Sequence, residues 1–276
     1  MKNKNVVHML WVYGGLSLLE KISARSFIRN GFSLNIWTYG INEIDIDGAT
    51  IRNAREVLPE TEIFLNKRKS YASFADVFRY SLLSLHSGIY VDTDVVCLKH
   101  ASQFPSGNFL VQERKQDNSK LVNNNVISYQ NFYDNSLIEK AKKFSLDFPK
   151  EHIKWAELGP NLMTQLSYED TDNLFTIFPP EFANHYNYWE CPEVFITKDY
   201  EQPPESAYLI HLYNEMWRRK KINKNKIYSK KTLYGKLQRN YLSEEEIIQR
   251  SYLRKFYKLL SKKFKSFSFL SNSKFK

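Results

Sequence analysis

Apolar positions change period repeatedly along the chain, and the changes predict alternating strands and helices. Residues 5–12 (NVVHMLWV) are a continuous apolar run of strand length, and residues 18–29 repeat apolar positions at helical spacing up to Gly31. Residues 33–39 (SLNIWTY) are a second β-favouring run. Strand, helix and strand in that order predict parallel pairing with a right-handed crossover, hence a Rossmann-like nucleotide-binding architecture. Residues 51–58 read as a short helix closed by Pro59, and 62–65 as a short strand. Phe74, Val77, Phe78, Leu82 and Leu85 then follow helical spacing, with Gly88 as a left-handed stop and Ile89-Tyr90-Val91 as a strand buried on both faces. Strands are expected at 95–98, 108–112, 174–178 and 207–212, a polar turn entering a strand at 123–128, and an amphipathic helix at 135–146.

From Glu244 the pattern changes again. Ile248, Tyr252, Phe256, Leu259, Leu260, Phe264 and Phe267 fall at helical spacing while Arg250, Arg254, Lys255, Lys258, Lys262 and Lys265 decorate the other faces, and Ser243 with Glu246 can form a capping box. A basic amphipathic helix reads as a membrane-surface segment or as a helix packed on its own domain. Charge sharpens the division. The chain carries a formal net charge of +10, but residues from Arg218 onward hold 19 Lys+Arg against 3 Asp+Glu, leaving 21 against 27 for residues 1–217. An acidic body with a basic end argues for one segment meeting an anionic surface, not for a nucleic-acid-binding fold. With 276 residues, 42% of them apolar, the chain can build a globular catalytic domain over 1–217 and a basic helical extension over 218–276. Two cysteines and no run of membrane-spanning length or leader-like start point to a cytoplasmic protein, peripheral at the inner face of the membrane.

The chemistry gathers where the third long strand ends. Asp92-Thr93-Asp94 follows Ile89-Tyr90-Val91, and in open α/β sheets the ligand crevice lies beyond the carboxyl ends of the strands. Residues i and i+2 of an extended segment face one side, so Asp92 and Asp94 can converge on one ion. Two hard oxygen ligands suit Mg²⁺ or Mn²⁺, with a diphosphate completing the shell. Asp76 and Arg79, three apart, share a face of the preceding helix. The glycines near Trp11 do not form G-x-G-x-x-G, which argues against a dinucleotide dehydrogenase, and no lysine-bearing phosphate loop supports a nucleotidyltransferase. Trp11, beside Gly14 and Gly15, is either a core indole or a flat face for a base. Tyr71 precedes the motif helix and can border its pocket. Lys67-Arg68-Lys69 is a solvated basic loop or a phosphate contact, and Asn123-Asn124-Asn125 a turn or a set of amides for sugar hydroxyls. Gly159-Pro160 opens a helix, His185 to Trp189 forms an aromatic plug or an acceptor cleft around Tyr188 and Trp189, and His211 near a strand end is a core histidine or a ligand.

These residues resemble a family. The run Ala75, Asp76, Arg79, Leu83, Gly88, Tyr90, Asp92, Asp94 looks like the core motif of glycosyltransferases with a DXD-containing sugar-binding region, the family 32 type, which is distantly similar to the glucosylating domains of clostridial toxins. Ser87 replaces the first glycine of the usual pair. The resemblance implies a GT-A type fold with a mixed, mostly parallel sheet. It also implies a metal-dependent, retaining hexosyltransferase that uses a UDP-sugar. In the family the positions matching Asp76 and Arg79 hold the donor sugar, those matching Asp92 and Asp94 serve ribose, sugar and metal, and the tryptophan matching Trp11 stacks on uracil. His211, Asn214 and Trp217 resemble the family's His-x-x-Asn-x-x-Trp, which implies metal or diphosphate contacts, and Gly159-Pro160 borders the acceptor. The expected site is therefore Asp92, Asp94 and His211 for Mn²⁺ or Mg²⁺; Trp11, Gly14, Tyr71, Asp76, Arg79, Asp92, Asn124, Asn214 and Trp217 for the donor; and Gly159, Pro160, Tyr188 and Trp189 for the acceptor. The partners expected are a nucleotide-sugar donor, a glycan or lipid-linked oligosaccharide acceptor and an anionic membrane, with a role in bacterial surface polysaccharide, lipopolysaccharide or capsule synthesis. The rival is a non-catalytic membrane or nucleic-acid adaptor on a decayed transferase fold.

Overall fold

The computed structural model describes residues 5–133, 135–170 and 174–250. In chain order the elements are β1 (Val6–Leu10), α1 (Leu18–Arg29), β2 (Ser33–Thr38), β3 (Ala49–Asn53), α2 (Ala72–Leu85), β4 (Gly88–Val91), β5 (Val95–Cys97), β6 (Phe109–Arg114) and β7 (Lys120–Tyr129). They continue with α3 (Leu137–Asp147), α4 (Leu162–Glu169), β8 (Thr176–Phe178), α5 (Glu193–Ile196), β9 (Leu209–His211), α6 (Asn214–Arg219) and α7 (Leu233–Tyr241). Ser17 starts α1 through a capping box, accepting from the Leu19 N–H while its own N–H donates to the Glu20 carboxylate.

Seven strands form one sheet in the order β3-β2-β1-β4-β7-β6-β8. All share one direction except β7, which is antiparallel to both β4 and β6. This is the mixed, mostly parallel sheet that the resemblance implies, built on the parallel pairs that the β-α-β opening predicts. A second, two-stranded sheet pairs β5 with β9, and β4 reaches it through Asp92, Thr93 and Asp94. Alternation along β1 explains the two large cores. Leu10 and Val12 face Trp37, Phe74 and Phe78 on one side, and Val7 and Met9 face Phe27, Phe109 and Phe182 on the other. Each fully buried phenylalanine of this kind is worth about 1.5–3 kcal/mol, so α2 is fixed on the sheet by the face carrying Phe74, Phe78 and Leu82. A glycine is required at 88, where φ is +150° and a Cβ would lie 2.8 Å from the Val6 carbonyl oxygen and 2.9 Å from His8 Nε2.

Three local expectations are corrected. Ile51 pairs with Ile36 inside edge strand β3, and only Ala54–Glu56 coils into a 3₁₀ turn, because strand pairing overrides a weak helical pattern. Residues 62–65 form no strand and follow another 3₁₀ turn, Glu60–Glu62. Asn123, Asn124 and Asn125 lie within β7 at a bulge against β6, where the Asn125 N–H bonds to Asn123 Oδ1 (3.0 Å), the Asn125 carbonyl accepts from Asp92 and the Asn124 carbonyl from Arg79.

Leu233, Tyr234 and Leu237 of α7 share a third core with Leu18, Leu19 and Ile22 of α1 and with Trp217. The capping box at Ser243 forms as expected, the Glu246 N–H donating to Ser243 Oγ (3.1 Å) and the Ser243 N–H to the Glu246 carboxylate (3.0 Å). That carboxylate also receives Lys21 (2.8 Å) and Arg25 (2.6 Å), so the helical turns over 244–250 begin anchored on α1. The rest of the expected basic helix, from 251, is outside the described residues. Among the described residues no helix is long and apolar enough to cross a membrane, and Cys97 and Cys191 are buried and free.

Candidate active site

Three elements carry acids, a base and an imidazole to the carboxyl end of β4. Asp92 leaves the strand with its N–H bonded to the Asn125 carbonyl (2.9 Å), and two residues later Asp94 accepts the N–H of Asn214 at the start of α6 (2.6 Å). His211 ends β9, its Nε2 3.4 Å from Asp94 Oδ2. One ligand atom from each of Asp92, Asp94 and His211 lies within 4.8 Å of the others. The imidazole is oriented from behind, where its Nδ1 faces Asn184 Oδ1 at 3.2 Å. With Nδ1–H donating to Asn184, Nε2 is free to ligate, the arrangement that metal-bound histidines adopt. Two carboxylates and an imidazole fit Mg²⁺ or Mn²⁺, which complete their shells with substrate oxygens and water.

Beside this cluster Arg79 links the helix to the carboxylates. Its guanidinium is buried, 2.9 Å from Asp92 and 3.3 Å from Asp76, lies over the Tyr90 ring at 4.8 Å and donates to the Asn124 carbonyl. Burial opposes the charge, but Asp92, Tyr90 and Asp76 outweigh it and keep Arg79 ionised. Asp76 is held by Asn124 Nδ2 (2.8 Å), which also donates to Tyr80 Oη (2.9 Å). Gly159 closes the floor, since a Cβ there would meet Asp76 Oδ2 at 3.0 Å and Asn124 Oδ1 at 3.2 Å.

The two acids of the motif titrate in opposite directions. Burial raises Asp92 to about 6, opposed by Arg79 and reinforced by Asp94. For Asp94 burial also pushes upward, but His211 and the Asn214 N–H outweigh it and hold the carboxyl low. His211 is the counterpart, burial disfavouring its charge and Asp94 raising its pKa above the ordinary value.

Strand alternation distributes the three asparagines. Asn124 faces Asp76 and Tyr80, while Asn123 donates to Glu113 (2.7 Å) and Asn125 to Asn184 (2.8 Å) on the other face of β7. Asn184 also donates to the Gln112 carbonyl (3.0 Å), so it is fixed at both ends. Asn184 and Glu113 were not singled out by their sequence context. Glu113, an acid inside the apolar strand β6, was the one detectable signal, and burial raises its carboxyl.

Other expected residues fall at different distances from the chemistry. Trp11 is half-buried just beyond β1 and donates its indole N–H to the Gly14 carbonyl (2.7 Å), with Gly14 at φ +82°. Lys224 Nζ lies 5.9 Å from the Trp11 ring. Tyr71 is exposed at the start of α2, edge-on to Tyr13. Asn214 reaches Asp94 with its backbone N–H, but its side chain turns to Glu20 (3.1 Å) and Lys224 (2.8 Å), away from a donor. Trp217 is corrected outright. It is 1% exposed, donates to the Leu212 carbonyl (2.9 Å) and packs on Tyr234, so it serves the core and not a ligand. Gly159 lies against Asp76 and Asn124 on the side expected for the donor, with a non-helical backbone (φ −102°, ψ −116°) that kinks the segment Glu157–Asn161 just before Pro160. Tyr188 packs on the third core and the Trp189 carbonyl receives Lys220 (3.1 Å); neither joins the carboxylates.

Residues 38–114, from the end of β2 through β6, match the family described as the glycosyltransferase sugar-binding region containing a DXD motif. Over 102 residues the chain is 34% identical to an uncharacterised glycosyltransferase of Acanthamoeba polyphaga mimivirus. That match covers 36% of this chain and 39% of the relative, so the chain accounts for well under half of that relative's length. Among solved structures it is similar to the apo form of the glycosyltransferase GlyE of Streptococcus pneumoniae, with a TM-score of 0.49 at 13% identity over 91% of this chain and 64% of that one. The PaToxG glycosyltransferase aligns with a TM-score of 0.47 at 17% identity, covering 61% of this chain and 70% of that one.

Proposed function

We propose that this protein, whose residues 38–114 match a DXD-containing glycosyltransferase sugar-binding region, moves a hexose from a UDP-sugar to a glycan acceptor in a metal-dependent reaction. The observation that carries the reading is the convergence of Asp92, Asp94 and His211 within 4.8 Å, joined to Asp76 through buried Arg79. A bound Mn²⁺ or Mg²⁺ supplies positive charge to the diphosphate as the glycosidic bond breaks. The chain's own groups do the remainder. Asp94 is aimed by the Asn214 N–H, and His211 is held in one tautomer by Asn184. Arg79 and Asp76 present a fixed donor and acceptor pair to the hydroxyls of the sugar, and the Trp11 face receives the base. Ordering donor against acceptor supplies much of the rate. Retention of anomeric configuration follows the resemblance to family 32 enzymes. An acceptor among bacterial surface glycans fits an acidic body followed by a basic C-terminal end that meets the inner membrane face.

The test is thermal melting against a panel of nucleotide sugars, each with Mn²⁺ and with chelator. A ligand that binds the native state raises the melting temperature, by about 2.7 kcal/mol of stability at a hundred times its Kd. One UDP-sugar should stabilise the protein only in the presence of metal, and Asp94→Ala should abolish both that shift and turnover while the far-UV spectrum is unchanged. Full turnover in Asp94→Ala, or no response to any donor while lipid vesicles still bind, would replace this reading with the adaptor.

A further inference from the structure

Three segments that border the candidate site meet a second time, at the surface. The loop before α2 carries Arg68, the turn before Gly159 carries Trp155, and α6 carries Arg218 and Arg219. The Arg68 guanidinium lies over the Trp155 ring at 4.3 Å and that of Arg219 over the same ring at 5.8 Å, while Arg218 donates to the Arg68 carbonyl (3.3 Å). All four side chains are exposed, Trp155 by 46%. Each segment has its other foot in the site. Asp76 is one helical turn into α2, Gly159 abuts Asp76 and Asn124, and the first N–H of α6 binds Asp94. Six helical residues span about 9 Å, so Arg218 and Arg219 stand within one sugar unit or two of the carboxylates.

The charge of this rim is one-sided. Lys67, Arg68, Lys69, Lys154, Arg218 and Arg219 are exposed cations; the acids among them are Glu215, engaged by Arg218 at 2.7 Å and by Arg219 at 3.9 Å, and Glu157, which caps the Lys154 N–H. Arg68 has no carboxylate partner among the described residues. The exposed indole, with Arg68 stacked over its ring, offers apolar C–H edges to a sugar ring, and the guanidinium groups offer forked donors to an oxyanion.

We propose that the Arg68–Trp155–Arg219 rim is the acceptor subsite and that it selects a saccharide bearing an anionic group, a carboxylate or a phosphate, next to the accepting sugar. The proposal rests on the glycosyltransferase reading, in that the same three segments must serve donor and acceptor together. A saccharide is favoured over a lipid surface because the segments of the rim are those that border the sugar site and an exposed indole stands at its centre.

The experiment measures binding of three probes to the full chain by calorimetry, with UDP and Mn²⁺ present: a glucuronate-containing tetrasaccharide, glucose 6-phosphate and neutral maltotetraose. Binding of UDP and Mn²⁺ to the wild-type protein, recorded first, tests the transferase reading separately. At least one anionic probe should bind tenfold or more tighter than maltotetraose, and the tighter of the two identifies the oxyanion. The preference should shrink on raising salt from 50 to 200 mM, and fall at least tenfold in R68E/R219E and several-fold in Trp155→Ala. R68Q and R219Q, which remove one charge each at exposed positions, should give intermediate losses. Equal binding of charged and neutral probes, or an anionic preference untouched by these substitutions, overturns the proposal. So does binding of phosphatidylglycerol vesicles through the same residues with no saccharide bound.

Discussion

At the residue scale, the division of labour within the DXD triplet follows from what each carboxylate faces. Asp94 sits against His211 and a helix N–H and stays ionised, while Asp92 is raised to about 6 by burial beside it. A raised acid binds its proton more tightly, and that proton must leave before a cation can bind. His211, whose proton is likewise held more tightly beside Asp94, must also be neutral to ligate. Metal affinity should therefore rise with pH throughout a Mn²⁺ titration between pH 5 and 8, by up to about tenfold per unit for each of the two groups still protonated. The curve should move toward lower pH in Asp94→Asn, which removes the neighbouring negative charge. Gly159 makes a second prediction. An added methyl at 3.0 Å from Asp76 and 3.2 Å from Asn124 must displace one of them, so Gly159→Ala should raise the donor Kd about tenfold or more with a much smaller effect on Mn²⁺ binding alone. Isothermal calorimetry with and without the nucleotide sugar checks it.

At the scale of elements, α6 is too short to hold its own position and is held by its neighbours. Buried Glu20 of α1 accepts from Asn214 and from Lys224 at 2.5 Å, which ties both ends of the 214–224 segment to the first helix. Glu20 is 1% exposed, so removing its cation leaves a buried, partly unpaired carboxylate. Lys224→Ala should cost about 3 kcal/mol in urea unfolding, in the range seen when one partner of a buried pair is deleted. It should also weaken metal-dependent donor binding, because the Asn214 N–H that aims Asp94 moves with the segment. A Glu20→Gln change keeps an acceptor for the Ser17 cap and should cost less.

For the whole molecule, the third core joins α1, α6 and α7, so residues well past 217 stabilise the body that carries the site. Glu246 adds an ionic clasp to Lys21 and Arg25, and its carboxyl is lowered to about 2, burial opposing and the two cations prevailing. A chain ending after Arg250 should keep this clasp, melt within about 2 °C of the full chain and respond equally to donor. A chain ending at Leu242 loses the clasp and should melt several degrees lower. Vesicle co-sedimentation of the two proteins against the full chain tests the membrane role of residues 251–276. Equal binding by all three would remove that role from the tail.

The order of strands and helices, the helix-to-strand turn at Gly88 and the pairing of Asp76 with Arg79 and of Asp92 with Asp94 were legible in the sequence. They depend on residues a few positions apart, where period and turn chemistry decide. The sequence alone also placed His211 at a strand end. What it could not decide depends on contacts between distant segments: that β7 runs antiparallel and aims Asn124 and Asn125 at opposite faces, that Asn184 orients His211, and that Trp217 is core while Trp155 is exposed between two arginines. An indole has the same local preference in a core and on a rim. Which it occupies is set by the elements that pack around it, and only the tertiary structure brings those together.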